Sequence, residues 1–181
     1  MRLLIAGGGP TGLYLAISML RRSPSHRITV LERNRASDTF GWGVVFSDAT
    51  LDNLTENDPK TAREIRGRFT HWDDIEVHFR GRKLMSGGHG FCGIGRKRLL
   101  RILQRRASEL GAELRFETEA EPDLYLYRDH DLVVATDGVN SRFRQAYAPH
   151  FDVEIQTRPN YFQWLGTQKH FEAFNFIFRE L

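Results

Sequence analysis

A short apolar run, RLLIA at residues 2–6, leads directly into the glycine-rich sequence GGGPTG at residues 7–12. Apolar residues then recur at helical spacing over residues 13–20, and the pattern stops before Pro24. A second apolar run follows at residues 27–32. Because a buried strand, a glycine turn, a helix and another strand in this order form a βαβ unit, the sequence predicts two adjacent parallel strands.

The glycine-rich sequence supplies Gly7, Gly9 and Gly12 to a G-x-G-x-x-G turn. The first glycine suits a tight turn, the second lets the backbone approach a pyrophosphate, and the third lets the helix pack close to the strand. Glu32 ends the second strand, where a carboxylate can accept hydrogen bonds from a ribose. Arg33 could bind a 2′-phosphate, but Glu32 would repel one. The pattern therefore predicts a dinucleotide whose adenosine lacks that phosphate, and it leaves FAD and NAD open.

Composition narrows the class of protein. With 40% hydrophobic and 27% charged residues in 181, the chain is predicted to be globular, with one domain and part of a second. No apolar run approaches the roughly 20 residues of a membrane span. The single cysteine, Cys92, fits a reducing compartment, and a cytoplasmic location is expected. The net charge is +3, but arginines alternate with acids, so small anionic ligands are favoured over nucleic acid.

After the βαβ unit the pattern changes to loops and antiparallel strands. Residues 40–59 are predicted to form a glycine-flanked loop and then a short helix, capped by Ser47 or Asp48 and ending before Pro59. A hairpin is predicted around Arg80-Gly81. The other predicted elements are the hairpin strands at 75–79 and 82–86, a helix over 96–110, strands at 112–117 and 131–136, and antiparallel strands at 160–168 and 173–181.

The segment DLVVATDGVNSRFR, residues 131–144, ends a strand in Asp-Gly and continues into a short helix start. It resembles the second fingerprint of the FAD-dependent aromatic hydroxylases, the group A flavoprotein monooxygenases with the para-hydroxybenzoate hydroxylase fold. In that family the Asp-Gly segment lies near the FAD pyrophosphate and takes part in binding the reduced nicotinamide. By position, the residues that match it are Asp137, Gly138, Ser141 and Arg142.

Further stretches resemble the N-terminal half of the family branch that hydroxylates aromatic CoA thioesters, of the salicylyl-CoA 5-hydroxylase and 2-aminobenzoyl-CoA monooxygenase type. They are LERN at 31–34, FGWGVVFSDATLDNL at 40–54, SGGHGFCGIGRKRLL at 86–100 and RPNYFQWLGTQKHFEAFNFIF at 158–178. The resemblance implies that the loop from Trp42 to Val45 passes close to the flavin ring. The glycine turn and the resemblance together predict an FAD site made of Gly7, Gly9, Pro10, Thr11, Gly12, Glu32, Arg33, Trp42, Val44, Val45, Arg96, Asp137 and Gly138.

The resemblance implies an α/β fold, with a Rossmann-like FAD-binding domain over residues 1–150 and a β excursion near residues 70–90. Residues 151–181 would begin the antiparallel sheet of a substrate domain. The implied activity is that of a monooxygenase that uses NADH or NADPH and O₂ on a small aromatic acid or its CoA thioester. The third family fingerprint, Gly-Asp-Ala followed by His or Pro, does not occur in the sequence. The chain is therefore predicted to be a truncated form without hydroxylase activity of its own, and no catalytic residue is predicted.

Two other functions remain open: an NAD-dependent oxidoreductase domain and a non-catalytic module that binds a nucleotide or flavin. The first should show more strand-helix crossovers after residue 32. No metal site is predicted, because His71, His78 and His89 lack ligand spacing and Cys92 fits a small buried residue. An unpaired sheet edge makes a homo-oligomer an alternative to a monomer.

Overall fold

The structure is a computed structural model that describes residues 1–161, 163 and 165–179. The chain divides into two compact units, and each unit combines two separate stretches of sequence. The first unit comprises Met1–Thr39 and Leu99–Phe162, and the second comprises Phe40–Arg98 and Gln163–Leu181. The domain boundary expected between residues 150 and 151 stays a prediction.

The described residues form ten strands, six helices and a 3-10 turn at Leu124–Tyr127. In chain order these strands and helices are β1 (Arg2–Ala6), α1 (Pro10–Arg22), β2 (Arg27–Leu31), β3 (Gly43–Ser47), α2 (Asp48–Asn57), α3 (Pro59–Arg66), β4 (Thr70–Trp72), β5 (Ile75–Phe79), β6 (Arg82–Ser86), β7 (Phe91–Gly95), α4 (Arg96–Glu109), β8 (Glu113–Arg115), β9 (Leu132–Ala135), α5 (Arg142–Ala146), α6 (Ala148–Phe151) and β10 (Phe174–Phe178).

A four-stranded parallel sheet forms the first unit, with the strand order β8-β2-β1-β9. The central strand β1 is buried from Leu3 to Ala6, as expected of a parallel strand covered on both faces. The apolar stripe of α1 is buried, including Leu13, Ile17 and Leu20. The predicted βαβ unit is therefore confirmed, with β1 as predicted and β2 one residue shorter. The strands predicted at 112–117 and 131–136 are confirmed as the shorter β8 and β9.

The predicted helix over 96–110 is confirmed as α4, whose apolar face from Leu99 to Ala107 is buried. It is followed by Gly111, whose φ of 99° lies in the left-handed region that glycine tolerates best. None of the described helices combines the length and the apolar character needed to cross a bilayer.

Two three-stranded sheets form the strand framework of the second unit, with the orders β3-β7-β4 and β10-β5-β6. The predicted hairpin is confirmed, since β5 and β6 pair antiparallel around Arg80 and Gly81. Both turn residues have positive φ, at 49° and 72°, as a tight hairpin of this hand requires. Phe174 packs its ring against those of Trp72 and Phe91, at centroid distances of 5.8 and 5.0 Å.

The loop predicted for the first part of residues 40–59 is wrong at Gly43–Ser47, which form β3. These residues pair antiparallel with β7, so a distant partner decides their conformation. The helix that follows is confirmed as α2, and Ser47 caps it by accepting a hydrogen bond from the Thr50 N–H at 3.4 Å. A further helix, α3, begins at Pro59 and was not predicted, although proline suits the first helical position.

The antiparallel strands predicted for the tail are also corrected. Strand β10 pairs in parallel with β5, from Phe174 opposite Ile75 to Phe178 opposite Phe79. The described residues of the segment 160–168 are not in a strand, and Phe162 and Trp164 within it lie outside the described residues. An alternating pattern fixes which face a side chain occupies, but it does not fix the direction of the neighbouring strand.

Candidate functional site

The glycine loop between β1 and α1 is held by contacts that only glycine permits at two of its positions. Gly7 has a φ of 111° and donates its N–H to the Leu31 carbonyl at 2.8 Å. A Cβ on Gly7 would lie 2.4 Å from the Thr136 carbonyl oxygen, and one on Gly12 would lie 2.1 Å from the Gly7 carbonyl oxygen. Gly7 therefore permits the tight turn and Gly12 permits the close packing of α1 on β1, as the motif predicts.

Gly9 differs from both of these glycines. A Cβ built on Gly9 meets no atom within 4 Å among the described residues, and its φ of −72° is accessible to any residue. Gly9 is the N-cap of α1, Pro10 follows at the first helical position, and no described side chain caps the helix. The uncapped N–H groups of the first turn carry partial positive charge, which favours a phosphate. The bare α-carbon leaves room for such a group, which fits the pyrophosphate of a dinucleotide.

Glu32 lies beside this loop, immediately after β2. One carboxylate oxygen accepts the Gly8 N–H at 2.8 Å, and the other accepts the backbone and side-chain N–H groups of Asn34 at 2.9 and 2.7 Å. These bonds fix the orientation of the carboxylate next to the glycine loop, and each oxygen has further lone-pair capacity for a ribose hydroxyl. Arg33 is exposed and lies 3.8 Å from Glu119.

Asp137 and Gly138 follow β9 on the other side of β1, where the carboxyl ends of the parallel strands meet. Gly138 has a φ of 92°. One oxygen of Asp137 accepts the Arg142 N–H at 2.8 Å, while the other, Oδ1, is buried without a hydrogen-bond partner among the described residues. Ser141 caps α5 by accepting the Arg144 N–H at 3.0 Å. The buried lone pairs of Asp137 Oδ1 are therefore a candidate contact for a ligand.

The Arg142 side chain contacts two carboxylates of its own unit. It lies 2.8 Å from Glu121 and 3.1 Å from Glu119, and these carboxylates, Glu121 first, raise the pKa of the guanidinium. Asp137, Gly138 and Ser141 also line a groove of about 870 Å³ beside β9, an edge strand of the sheet.

Thr136 is a part of this region that the sequence reasoning missed. Its hydroxyl donates to the carbonyl oxygens of Gly7 at 2.9 Å and Ala6 at 3.1 Å, which joins the end of β9 to the start of the glycine loop. Its Oγ1 also lies 2.6 Å from the position of a Cβ on Gly12. A threonine directly before Asp-Gly at a strand end was the available signal, but it has no meaning until β9 is known to pair with β1.

The remaining predicted site residues lie in the second unit. Trp42 is 69% exposed and accepts the Arg96 N–H through its carbonyl at 3.0 Å, which joins the start of β3 to the start of α4. Val44 and Val45 lie on β3 opposite Ile94 and Gly93. The Nε of Arg96 is buried and has no hydrogen-bond partner among the described residues. This unpaired donor is a candidate contact for an anionic or carbonyl group.

Comparison with known families matches most of the chain to one family. The family model described as FAD binding domain matches residues 1–124. The chain belongs to this family of FAD-binding domains. The prediction of a flavoprotein fold with FAD as the cofactor is therefore confirmed, and the plain NAD-dependent domain is not supported.

Individual relatives carry monooxygenase names. The chain is 41% identical over 180 residues to a salicyloyl-CoA 5-hydroxylase of Streptomyces sp. The alignment covers 99% of the chain and 35% of that protein. It is 34% identical to the 3-hydroxy-4-methyl-anthranilyl-[aryl-carrier protein] 5-monooxygenase of Streptosporangium sibiricum, over 99% of the chain and 50% of that protein. The chain thus spans half or less of the length of these relatives.

A solved structure supports the fold. P. aeruginosa PqsL, crystallised in complex with 2-aminobenzoylacetate, superposes with a TM-score of 0.69 at 20% identity, over 88% of the chain and 48% of PqsL. At this identity the likeness shows the fold alone. This match confirms the predicted α/β, Rossmann-like fold, and the family model supplies its FAD-binding assignment.

Proposed function

We propose that the chain is the FAD-binding portion of a flavoprotein monooxygenase that uses NADH or NADPH and O₂ to hydroxylate a small aromatic substrate. The observation that carries the proposal is the uncovered Gly9 between the close-packed Gly7 and Gly12, at the uncapped N-terminus of α1 and beside Glu32. An adenosine diphosphate with an unmodified ribose has a pyrophosphate for the first feature and two hydroxyls for the second.

Each predicted site residue has a role in this proposal. Gly9, Pro10 and Thr11 lie against the pyrophosphate, and Glu32 accepts hydrogen bonds from the ribose. Asp137 and Gly138 serve the pyrophosphate and the reduced nicotinamide. In the second unit, Trp42, Val44 and Val45 lie near the flavin ring, and Arg96 donates through its unpaired Nε to the cofactor. Arg33, which lies near Glu119, has the smallest part, at the rim of the adenosine site.

When bound, FAD supplies the redox chemistry, so the task of the protein is to bind, orient and exclude water. The carboxylate of Glu32 is already oriented by Gly8 and Asn34 before any ligand binds. Such pre-organisation lowers the entropy cost of binding, which supports a site that retains its cofactor.

The proposed substrate is an aromatic acyl group attached to a carrier. The names of both relatives specify an aromatic acid on a carrier, CoA in one and an aryl-carrier protein in the other. A free aromatic acid is the alternative that a substrate screen would detect.

A homo-oligomer and a cytoplasmic location belong to the same proposal, and the tetrameric form of 2-methyl-3-hydroxypyridine-5-carboxylic acid oxygenase is an oligomeric structural neighbour.

The proposal is tested by titrating the purified chain with FAD, ADP and NADH and following the heat of binding and the flavin fluorescence. We expect FAD and ADP to bind with similar affinity, because the ADP group supplies the contacts at Gly9 and Glu32. NADH carries the same ADP group, so it should bind no more tightly than FAD or ADP. The test variant is Glu32→Gln, which keeps the size of the side chain but removes its charge. It should weaken the binding of FAD and of ADP equally.

The other outcomes identify the competing functions. Tight binding of NADH without binding of FAD would contradict the proposal and indicate a nicotinamide domain. Binding of FAD by the whole protein, with no consumption of NADH or NADPH in the presence of any aromatic acid or thioester, would indicate a non-catalytic flavin module.

A further inference from the structure

An aspartate, a histidine and a cysteine meet in the second unit. Asp48, His71 and Cys92 each offer one donor atom, and these atoms all lie within 4.8 Å of one another. His71 and Cys92 are direct partners across the antiparallel pair of β4 and β7. Asp48 is the first residue of α2 and follows Ser47, which pairs with Phe91 beside Cys92. Three separate elements therefore bring the donors together.

The imidazole of His71 lies between two carboxylates. Its Nε2 is 3.9 Å from Oδ1 of Asp48, and its Nδ1 is 3.6 Å from Oδ1 of Asp73. Metal-bound histidines usually present one ring nitrogen to the ion and the other to a carboxylate, which fixes the tautomer and strengthens the ligand. Asp73 is placed for that second role, while Nε2 is directed to the cluster.

The backbone around the cluster leaves space for the aspartate. A Cβ on Gly90 would lie 1.7 Å from Oδ2 of Asp48, and Gly90 has a φ of 55°. The bare glycine therefore permits the carboxylate to lie beside β7. Any side chain at residue 90 would displace Asp48 from Cys92.

The donor set and the spacing suit one class of ion. Zinc, at about 2.0 to 2.3 Å from its ligands in a tetrahedral site, holds donor atoms roughly 3.3 to 3.8 Å apart. A shift of about 1 Å brings the donors to that spacing, and the exposed side chains of Asp48 and His71 can make it while Cys92, 3% exposed, stays fixed. A thiolate and an imidazole favour zinc over Mg²⁺ or Ca²⁺, which prefer oxygen ligands.

We propose that Asp48, His71 and Cys92 bind one Zn²⁺ ion, with the fourth coordination position open to water. The ion would join the start of α2 to the β4–β7 pair and so stabilise the second unit. The proposed zinc site uses none of the second-unit residues that are predicted to contact FAD, which are Trp42, Val44, Val45 and Arg96. The negative charges of Asp48, Asp73 and the bound thiolate attract the Zn²⁺ ion. The positive charge of Arg66 is paired with the Asp52 carboxylate, to which Arg66 donates a hydrogen bond at 3.0 Å.

Cobalt is the first probe, because Co²⁺ takes the place of Zn²⁺ in tetrahedral sites and shows a thiolate charge-transfer band when cysteine is a ligand. The full chain, kept reduced, should bind one Co²⁺ with that band and lose the band on addition of one equivalent of Zn²⁺. Calorimetry should give one Zn²⁺ per chain, Mg²⁺ should give no binding, and Zn²⁺ should raise the melting temperature.

Four variants separate this site from adventitious binding. Cys92→Ser should abolish the thiolate band, and His71→Gln and Asp48→Asn should each weaken Zn²⁺ binding at least tenfold. His78→Gln is the matched control, because His78 is a partly exposed histidine of the same unit that bonds to Glu76 and not to the cluster, and it should bind Zn²⁺ as the unchanged chain does. Since His71 and Asp48 are exposed, their variants keep the test valid if Cys92→Ser fails to fold.

The proposal is overturned if the chain binds no stoichiometric Zn²⁺, or if the cobalt complex lacks the thiolate band. Equal weakening in His78→Gln and His71→Gln would also overturn it, because binding would then be a general property of surface histidines. Loss of FAD binding in any of these variants is measured separately and does not enter this result.

Discussion

The glycine loop of the first unit and strand β3 of the second unit differ in how much of their structure one continuous stretch of sequence forms. In the first unit, β1, α1 and β2 follow one another directly, and the glycine loop between β1 and α1 is bonded to Leu31 and Glu32 at the end of β2 and to the distant Thr136. In the second unit, β3 pairs with β7, so that Gly43 lies opposite Gly95. One continuous βαβ stretch therefore carries the sequence signal of the cofactor loop, whereas β3 depends on pairing with a distant segment.

The largest predicted effect tests the glycine loop. Gly12→Ala places a Cβ 2.1 Å from the Gly7 carbonyl oxygen, so α1 must move away from β1. We expect the free energy of unfolding to fall by about 3 kcal/mol. Gly9→Ala is the matched control, because its Cβ meets open space, and its effect should stay within about 0.5 kcal/mol. Urea unfolding of both variants checks this, and equal losses would contradict the distinction between the two glycines.

Thr136→Val tests the contact that joins the loop to the end of β9. The substitution keeps the shape of the side chain but removes the hydroxyl that bonds to the Gly7 and Ala6 carbonyl oxygens. A loss of about 1.5 kcal/mol is expected, because a partly buried carbonyl loses its donor. Thr136→Ser, which keeps the hydroxyl, should recover most of it in the same urea experiment. If serine is no better than valine, the hydroxyl does not hold the loop.

Two serine caps compare the units directly. Ser141 is buried and accepts the Arg144 N–H at 3.0 Å in the first unit, whereas Ser47 is exposed and accepts the Thr50 N–H at 3.4 Å in the second. Alanine should cost about 1 kcal/mol at residue 141 and about 0.5 kcal/mol at residue 47. Thermal unfolding of the two variants measures the order, and a reversed order would show that distance and burial do not set the strength of these caps.

The smallest predicted effect is a pH dependence at the start of the parallel sheet. The Arg2 N–H donates to Asp131 at 2.6 Å, and this bond lowers the pKa of the carboxyl below its ordinary value of 3.8. Because the folded pKa is lowered, the stabilisation is present above the unfolded pKa and is lost as the pH falls through the folded pKa. Asp131→Asn should flatten the pH dependence of urea unfolding in this acid range, and an unchanged profile would contradict the assignment.

The sequence was sufficient where one stretch of chain carries its own signal. The strand, glycine turn and helix from Arg2 to Arg22, the hairpin around Arg80 and Gly81, and the helix α4 were predicted because periodicity and turn residues are local. The three roles expected of Gly7, Gly9 and Gly12 were predictable for the same reason, and the Cβ contacts of Gly7 and Gly12 agree with them.

The sequence was insufficient where partners are distant. Strand β7 has glycine at Gly93 and Gly95, which weakens a strand pattern, and it forms because it lies between β3 and β4. The parallel direction of β10 depends on a similar choice of partner. His71 and Cys92 lie far from metal-ligand spacing in the sequence, and only the register of β4 on β7 makes them neighbours. Spacing rules cannot detect a site assembled across a ladder.

The affinity of FAD for the Gly9→Ala variant tests most directly whether the glycine loop binds the pyrophosphate. We predict that the variant keeps the melting temperature of the unchanged chain and binds FAD and ADP at least tenfold more weakly, because the new methyl group occupies the space left for the pyrophosphate. Unchanged FAD affinity in a folded Gly9→Ala variant would contradict the assignment of this loop as the pyrophosphate site.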